Sequence, residues 1–282
     1  MNASDLDELM EDNLRSWDAM APLHARGSGA PFYRMAEFIA GECKLAPWEI
    51  EEVGPVEGKS LLHLQCHIGL DALSWARRGA KVTGLDFSPE SIAQAKQIAE
   101  EINVPAKFVT GLVQEASQIL DEETFEILYT GRGALCWLPD LSVWAEQCAR
   151  LVKPGGMLFL EETHPTLDLM MASPDESGAV RPAPHYDAFS RGPVTQSTQG
   201  SYADRSASTG NLTTHNWDHS LGEVVTSLVR AGFVIEHLHE REELFFEPWE
   251  GVFQPAGPNL WKFREGQVRF PTTYTLKARR SA

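Results

Sequence analysis

The chain alternates between short apolar runs and longer stretches in which apolar residues recur at helical spacing. Seven short apolar runs predict β-strands, which cover residues 60–64, 81–86, 106–110, 125–130, 157–161, 233–238 and 272–277. Apolar residues three and four positions apart predict the helices between them, at residues 70–78, 91–102, 141–151 and 221–231. Alternation of this kind is typical of a mostly parallel sheet with helices on both faces. The pattern therefore predicts a doubly wound, Rossmann-like α/β fold with a seven-stranded sheet.

Two regions depart from this alternation. Apolar positions between residues 5 and 43 have helical spacing, interrupted at 24–31 by glycine and proline, which predicts two helices. We expect residues 1–55 to form an N-terminal helical cap and residues 56–282 to form the main domain. Residues 165–217, after the fifth strand, lack periodicity and are rich in Ser, Thr, Gly and Pro. So long a connection predicts a lid or a substrate-side insertion, with a structural hairpin as the alternative.

Charge and cysteine content narrow the possible partners. The net charge of -16 opposes attraction to phosphate backbones, so a small-molecule ligand is expected rather than nucleic acid. The four cysteines have neither metal-site nor disulfide-framework spacing, which fits a reducing compartment and predicts no metal site. The acidic N-terminus lacks a signal-peptide core, and no apolar run is long enough to span a membrane. These features predict a cytoplasmic protein without a membrane partner.

Candidate ligand-binding residues follow the first two strands. Ligands of open α/β sheets bind at the carboxyl ends of the strands. The first loop, residues 65–69, retains a glycine at Gly69, and glycine lets a ligand approach the backbone closely. Asp86 ends the second strand about 20 residues later, where a carboxylate can accept hydrogen bonds from ribose hydroxyls. The two loops together predict a site for a nucleotide-like ligand.

The residues around these loops carry a family resemblance. The segment LLHLQCHIGLDALSWARRGAKVTGLDFSPESIAQAK resembles the first two motifs of class I S-adenosylmethionine-dependent methyltransferases. FEILYTGRGALCWLPD and LVKPGGMLFLEE resemble the fourth and fifth strands of that family, including its Lys-Pro-Gly-Gly turn. His63, Gln65 and His67 stand where the family usually has an acidic residue and further glycines. The resemblance is strong over residues 56–162 and looser over 219–280.

The resemblance implies a cofactor, S-adenosylmethionine, and a role for each loop. Asp86 should bind the ribose diol, and Phe87 should lie along the adenine. Leu112 and Val113 follow the third strand, where the family often has an acidic residue for the adenine amino group; Gln114 or backbone atoms would serve instead. The residues implied around the methionine part and beneath the sulfonium are Leu64, Gln65, Cys66, Gly69, Thr130 and Gly131.

The N-terminal segment also resembles a known element. NLRSWDAMAPLHARGSGAPFYRMAEF is similar to the helical cap that closes over the cofactor in related small-molecule methyltransferases. The resemblance implies that Trp17 and Tyr33 contact the cofactor. A packed position on the helix face is an equal alternative for Trp17.

Two histidines are candidates for a general base. His164 follows the fifth strand, and His219 precedes the helix after the insertion. A histidine can accept the proton of a hydroxyl or amine acceptor near neutral pH. A structural role is the alternative for both residues. Asp218 is expected to be the N-cap of the following helix.

The segment LFFEPWEGVFQPAGPNLWKF contains six aromatic residues between prolines and glycines. It could wall an acceptor pocket, pack a subunit interface in a homodimer, or form a packed crossover between the last two strands. Its pattern does not choose among these alternatives.

The leading functional prediction is methyl transfer from S-adenosylmethionine to an O, N or C atom of a small-molecule acceptor. One alternative is a protein that binds the cofactor without turnover. A second alternative is an NAD-dependent oxidoreductase, which would be expected to carry Gly-x-Gly-x-x-Gly, a motif that residues 65–70 lack. Enzymes that methylate nucleic-acid amino groups carry an Asn-Pro-Pro-Tyr-like element after the fourth strand, and residues 131–134 are Gly-Arg-Gly-Ala.

Overall fold

The computed structural model describes residues 3–176, 178–189 and 192–281. Its helices are α1 (Ala3–Arg26), α2 (Met35–Ile39), α3 (Pro47–Val53), α4 (Leu70–Arg77), α5 (Pro89–Glu101), α6 (Ala116–Ile119), α7 (Leu141–Leu151), α8 (Pro165–Leu169) and α9 (Leu221–Arg230). Its strands are β1 (Ser60–Leu64), β2 (Lys81–Asp86), β3 (Lys107–Thr110), β4 (Phe125–Gly131), β5 (Val152–Thr163), β6 (Met170–Pro174), β7 (Val180–Pro184), β8 (Val194–Gln199), β9 (Asn211–Asn216), β10 (Phe233–Arg241), β11 (Phe253–Gly257), β12 (Leu260–Phe263) and β13 (Thr273–Arg280).

Seven strands form the central sheet in the order β10-β13-β5-β4-β1-β2-β3. Strands β1 to β5 are mutually parallel, and β13 runs antiparallel to both of its neighbours. The predicted seven-stranded, mostly parallel sheet is confirmed. The chain proceeds from β1 to β2 on one side and returns to β4 on the other, so the strand order reverses beside β1. This reversal is the switch point at which open α/β sheets bind ligands.

The apolar residues of the sheet fill a core on each of its faces. Along β4, Ile127 and Tyr129 belong to one core, which also contains Trp75 of α4. Leu128 belongs to the other core, together with Trp144 of α7. Successive strand residues point to opposite faces, so a strand covered by helices on both sides must be apolar throughout. This explains the continuous apolar runs from which the strands were predicted.

The N-terminus of α9 differs from the prediction. Ser220, not Asp218, is the N-cap: its hydroxyl accepts a hydrogen bond from the Glu223 backbone N–H at 3.2 Å. The Glu223 carboxylate in turn accepts from the Ser220 N–H at 2.8 Å, which completes a capping box. Asp218 lies two residues outside the cap, so the predicted N-cap was wrong.

The N-terminal region contains a helix that the sequence did not predict. Helix α1 continues to Arg26, α2 is one short segment, and α3 follows at Pro47–Val53. Helix α3 has only seven residues, three of them glutamates, so no apolar period is visible. Its first turn is fixed by Glu49, whose carboxylate accepts from the Ala46 N–H at 2.6 Å. Throughout the described residues, the helices lack the combination of length and apolarity that a membrane span requires.

The insertion after β5 contains α8 and two hairpins, β6–β7 and β8–β9. The β8–β9 hairpin lies against α1. The Asn13 side chain donates to the His215 carbonyl at 2.9 Å and accepts from its N–H at 2.8 Å. Ser16 donates to the Thr213 carbonyl at 2.8 Å. Residues 3–34 and 194–216 thus form one surface, which we call the cover.

The aromatic segment 244–263 forms the hairpin β11–β12. Phe253 and Phe263 are buried in a small separate core, against which Val180 of the β6–β7 hairpin packs. This packing favours the crossover alternative over a pocket wall.

Candidate functional site

The loop between β1 and α4 has an unusual backbone. Gln65 and His67 have φ values of 57° and 48°, and Gly69 has a φ of 79°. A non-glycine residue in the left-handed region costs about 1 to 2 kcal/mol. Two such residues in one short loop mark a backbone that the fold imposes against local preference. Strain of this kind concentrates at functional sites.

Glycine is required at the end of this loop. A Cβ atom on Gly69 would lie 2.8 Å from Cζ of Phe108. The side chains of Leu64 and Cys66 are buried in the two cores, and the Cys66 N–H donates to the Leu85 carbonyl at 3.0 Å. A ligand at this loop would therefore meet the backbone of these residues rather than their side chains.

Asp86 joins the first loop to the second. One carboxylate oxygen accepts from the His67 N–H at 2.8 Å, and the other accepts from the Ser88 N–H at 3.0 Å. Burial raises the pKa of Asp86 to about 6, although these two hydrogen bonds oppose the shift. A carboxylate has about four acceptor positions, so two remain for other donors. The position predicted from the sequence therefore holds a buried carboxylate with capacity to bind hydroxyls.

The His67 side chain connects the loop to the cover. Its Nδ1 is hydrogen-bonded to Ser91 Oγ at 3.1 Å, and its Nε2 to Nδ1 of His24 at 2.9 Å. The other ring nitrogen of His24 is hydrogen-bonded to Ser201 Oγ at 2.5 Å. Burial lowers the pKa of His24 to about 4 and that of His67 well below its ordinary value, so both rings are neutral. These three hydrogen bonds are mutually consistent if Ser91 donates to His67, His67 donates to His24, and His24 donates to Ser201.

Two predicted cofactor contacts lie in the same part of the cover. The Tyr33 hydroxyl is hydrogen-bonded to His24 at 3.3 Å and to the Tyr202 hydroxyl of the insertion. The Trp17 ring stands edge-on to His67, with 4.9 Å between ring centroids. The indole N–H of Trp17 has no hydrogen-bond partner among the described residues. The structure thus brings Trp17 and Tyr33 to the first loop, and their contact with a cofactor stays a prediction.

The residues predicted beside the adenine border the ends of β2 and β3. Phe87 directly follows Asp86, and both Phe87 and Leu112 are half-buried. Val113 begins a short 3₁₀ helix and is buried in the core. The Gly111 N–H donates to the Asp86 carbonyl at 2.8 Å, which holds the two strand ends together.

The end of β4 lies beside β1 at the switch point of the sheet, and we call residues 130–132 the floor of the predicted ligand cleft. Thr130 is fully buried, and its hydroxyl has no hydrogen-bond partner in the described part of the chain. A Cβ atom on Gly131 would lie 1.8 Å from the Glu161 carbonyl oxygen, so only glycine fits there. The next residue, Arg132, has a φ of 61° and donates its N–H to the same carbonyl at 2.6 Å. The chain therefore turns sharply where an acceptor would meet the cofactor.

A buried cluster of charged residues lies beside this floor and was not predicted from the sequence. We call it the arginine cluster, and its members are Arg132, Glu49, Glu161 and Asp71. The Arg132 Nε donates to Glu161 at 3.0 Å, one terminal nitrogen contacts Glu49, and the other lies 3.6 Å from Asp71. Burial and the nearby Glu49 charge raise the pKa of Glu161 to about 8. Glu161 therefore holds a proton at neutral pH, which reduces the excess of negative charge.

The neighbouring carboxylate of Glu162 shapes the loop after β4. It accepts from the N–H groups of Gly133 at 2.5 Å, Ala134 at 2.8 Å and Leu135 at 3.0 Å. Burial raises its pKa, and these backbone donors oppose the shift. The only sequence signal for either glutamate was an acidic pair at the end of an apolar strand.

The two predicted bases have structural partners. His164 Nδ1 accepts from the Thr166 N–H at 3.0 Å and so caps α8, while its Nε2 is hydrogen-bonded to Glu240 at 2.9 Å. His219 Nε2 donates to the Leu138 carbonyl at 2.8 Å. These contacts account for both side chains without a proton transfer. The catalytic role of either histidine stays a prediction.

A family model described as a methyltransferase domain matches residues 62–160. The ubiquinone biosynthesis O-methyltransferase of Alkalilimnicola ehrlichii is 37% identical over 124 residues, which are 41% of this chain and 49% of the relative. The enzyme of the same description from Sodalis glossinidius is 37% identical over 110 residues, 39% of this chain and 43% of the relative. The chain thus spans less than half the length of these curated relatives.

Solved structures resemble nearly the whole chain at low identity. An S-adenosylmethionine-dependent methyltransferase from Mesorhizobium loti has a TM-score of 0.58 and 19% identity, with 86% of this chain and 100% of that chain covered. One from Clostridium acetobutylicum has a TM-score of 0.56 and 11% identity, with coverage of 89% and 92%. At these identities the likeness establishes the fold alone.

Proposed function

We propose that the protein is a class I S-adenosylmethionine-dependent methyltransferase that methylates a small-molecule acceptor at oxygen, nitrogen or carbon. The methyltransferase domain model that matches residues 62–160 and the likeness of the fold to solved methyltransferases support this proposal. The observation that carries this proposal is Asp86, a buried carboxylate at the switch point that is hydrogen-bonded to the strained loop after β1. This arrangement fits a ribose diol held against a closely approaching backbone.

The cofactor proposed for this cleft is S-adenosylmethionine. Asp86 binds the ribose, and the hydrogen-bonding capacity that remains on its carboxylate supports this assignment. The unpartnered polar atoms of Trp17, Gln65 and Thr130 supply further donors and acceptors around the same space. The remaining residues proposed to contact cofactor are Tyr33, Leu64, Cys66, Gly69, Phe87, Leu112, Val113 and Gly131.

When bound, S-adenosylmethionine supplies a methyl carbon activated by an adjacent sulfonium. The protein's task is then to orient the acceptor and exclude water. The cover excludes water, because its hydrogen bonds from His24 and Tyr33 close over the first loop. The fixed turn at Gly131 and Arg132 orients the acceptor against the floor. The acidic residues around that floor favour the positive charge that the methyl donor carries.

A proton acceptor is needed only for some methyl acceptors, and two residues are candidates. His164 and His219 are those predicted from the sequence. Imidazole is the side chain most often used for general-base catalysis.

The acceptor is proposed to be a metabolite rather than nucleic acid, because the net charge of -16 opposes phosphate binding. A cytoplasmic location and a homodimer are further proposals, and gel filtration with light scattering tests the assembly. Binding of the cofactor without turnover is an alternative, which the histidine and glutamine at strained loop positions favour. An NAD-dependent oxidoreductase is the weaker alternative.

The test of methyl transfer is direct. The purified protein is incubated with S-adenosylmethionine and separate pools of phenols, amines and activated carbon acids, and S-adenosylhomocysteine is measured by mass spectrometry. Product above the no-acceptor control, lost in Asp86→Asn, is the expected result. Cofactor binding without product in any pool would support the non-catalytic alternative instead.

A further inference from the structure

Two histidines on β10 share one face of the strand. His237 and His239 are two residues apart, so their side chains project in the same direction. Their rings are stacked, with 4.2 Å between centroids and 8° between planes. Both face Glu52 of α3, a helix more than 180 residues earlier in the chain. The fold thus brings two imidazoles and a carboxylate together outside the cofactor cleft.

The distances among these groups match a metal-ligand set. His237 Nε2 lies 3.1 Å from one Glu52 oxygen, and His239 Nδ1 lies 3.0 Å from the other. All three donor atoms lie within 4.8 Å of one another. Zinc bonds of about 2.0 to 2.2 Å place neighbouring ligands about 3 to 3.5 Å apart. The imidazole-to-carboxylate separations therefore already suit a shared ion.

The surroundings hold the carboxylate and leave a path for an ion. Thr275 donates its hydroxyl to Glu52 at 2.7 Å, and Lys277 donates to the Glu52 carbonyl at 2.8 Å. The threonine thus orients the carboxylate, as partners of metal ligands do, and the lysine holds the backbone of α3. The side chain of Glu52 is 10% exposed, while those of His237 and His239 are 23% and 52% exposed. An ion can therefore enter from the His239 side.

We propose that Glu52, His237 and His239 bind one divalent transition-metal ion of the zinc type, with water completing its coordination. Two nitrogens and one oxygen favour Zn²⁺, Co²⁺ or Ni²⁺ over Mg²⁺ and Ca²⁺, which prefer oxygen ligands. Binding requires the stacked rings to rotate so that their lone pairs converge. It also requires each imidazole to carry its proton on the nitrogen that faces away from the ion.

Two cations beside Glu52 oppose the ion, Arg241 and Lys277. The guanidinium of Arg241 contacts Glu52, and its positive charge reduces affinity for a cation. Arg241 also lies over the Trp48 ring, 5.2 Å from its centroid, which gives it a second favourable contact away from the carboxylate. Binding of the ion therefore requires the Arg241 guanidinium to release one oxygen of the Glu52 carboxylate.

An ion at this position would fasten α3 to the edge of the sheet. One turn earlier on α3, Glu49 pairs with Arg132 in the arginine cluster. The ion would act as a structural clamp for the helix that supports the floor of the cleft. Its binding is independent of methyl transfer.

The experiment uses untagged protein treated with a chelator and then dialysed. Calorimetric titration with Zn²⁺ should give one ion per chain with a Kd of about 10 µM or lower. Ion binding should also raise Tm, because it favours the folded state. The Co²⁺ complex should lack the thiolate charge-transfer band that binding at Cys43 or Cys136 would produce.

Variants separate this site from adventitious binding. His239→Ala, at an exposed position, and His237→Asn should each weaken Zn²⁺ binding at least tenfold. His185→Ala, a control at an exposed histidine outside the set, should leave it unchanged. A Kd above about 100 µM in the wild type, or an unchanged, wild-type affinity in both site variants, would overturn the proposal. Affinity for S-adenosylhomocysteine, measured on the same samples, tests the proposed function separately.

Discussion

The floor and the cover of the cleft are held together by different chemistry. On the floor, the Arg132 guanidinium lies among buried carboxylates, and Glu49 beside it is completely buried. In the cover, the hydrogen bonds nearest the first loop join neutral groups, such as His24 to His67 and Tyr33 to Tyr202. The ion pair that ties Arg26 of the cover to Glu101 of α5 is largely exposed. Removing one partner of a buried ion pair costs about 3 to 5 kcal/mol, whereas a neutral hydrogen bond contributes about 0.5 to 1.5 kcal/mol.

This difference indicates that the floor and the cover have different roles. A floor of buried charges cannot rearrange without large cost, so it can fix the position of an acceptor. A cover held by neutral hydrogen bonds, ring contacts and partly exposed charged pairs can open at modest cost, and a cofactor enclosed beneath it must enter and leave. Variants on the floor should therefore reduce stability, and variants in the cover should change cofactor exchange.

The largest expected effect is on the floor. Arg132→Met leaves the buried Glu49 carboxylate without its cation and Glu161 without a hydrogen-bond donor, and we expect it to lower the free energy of unfolding by about 3 to 5 kcal/mol. Urea denaturation measures the change. Arg269→Met is the matched control, because Arg269 pairs with Glu242 at an exposed position, and it should cost at most about 1 kcal/mol. Equal losses in both variants would contradict a buried, charge-dependent floor.

The next effect is on the cofactor. Asp86→Asn removes the charge proposed to accept the ribose hydroxyls, and the binding free energy of S-adenosylhomocysteine should weaken by about 1 to 3 kcal/mol. Calorimetry measures the affinity. Asp140→Asn, at the N-cap of α7, is the control and should leave affinity unchanged. An unchanged affinity in Asp86→Asn would refute the ribose assignment.

The raised pKa of Asp86 predicts that lowering the pH should weaken cofactor binding, as the Asp86→Asn substitution does. Its carboxyl protonates as pH falls through about 6, so cofactor affinity should decline below pH 6 and level off above pH 7. The contribution of Asp86 to folding has the opposite sign. A raised carboxyl pKa means that the folded state takes up the proton first, so this contribution improves as pH falls from 6 towards 4. A loss of affinity caused by acid unfolding would instead be accompanied by a falling Tm.

A variant of the cover should have a smaller effect on stability and a clearer one on exchange. His24→Ala removes the hydrogen bonds to His67 and Ser201, and we expect a cost of about 1 to 2 kcal/mol in the free energy of unfolding. Stopped-flow fluorescence should report faster release of S-adenosylhomocysteine. If release is as slow as in the wild type while stability falls, the cover does not control exchange.

The smallest effect concerns backbone strain in the first loop. Gln65→Gly and Gln65→Ala both remove the side-chain hydrogen bond to the Ala134 carbonyl. Only glycine adopts a φ of 57° without strain, so Gln65→Gly should be about 1 kcal/mol more stable than Gln65→Ala. Thermal denaturation compares the two variants. The reverse order would show that the loop relaxes when the side chain is shortened.

The periodicity of apolar residues was sufficient to predict the sheet, but it did not predict most of the candidate site. All seven strands and the position of Asp86 followed from local pattern, because burial on both faces and the ends of strands leave signals in neighbouring residues. The arginine cluster left no signal that joined its members, since Glu49, Arg132 and Glu161 come from three separate parts of the chain. The bond from His24 to Ser201 joins residues 177 positions apart. Contacts between distant segments depend on the fold, which a single sequence pattern does not reveal.

Calorimetric titration tests most directly whether the cleft binds S-adenosylmethionine. S-adenosylmethionine and S-adenosylhomocysteine should each bind at one molecule per chain, and NADH should not bind. Failure of the first two to bind, above all alongside binding of NADH, would contradict the account.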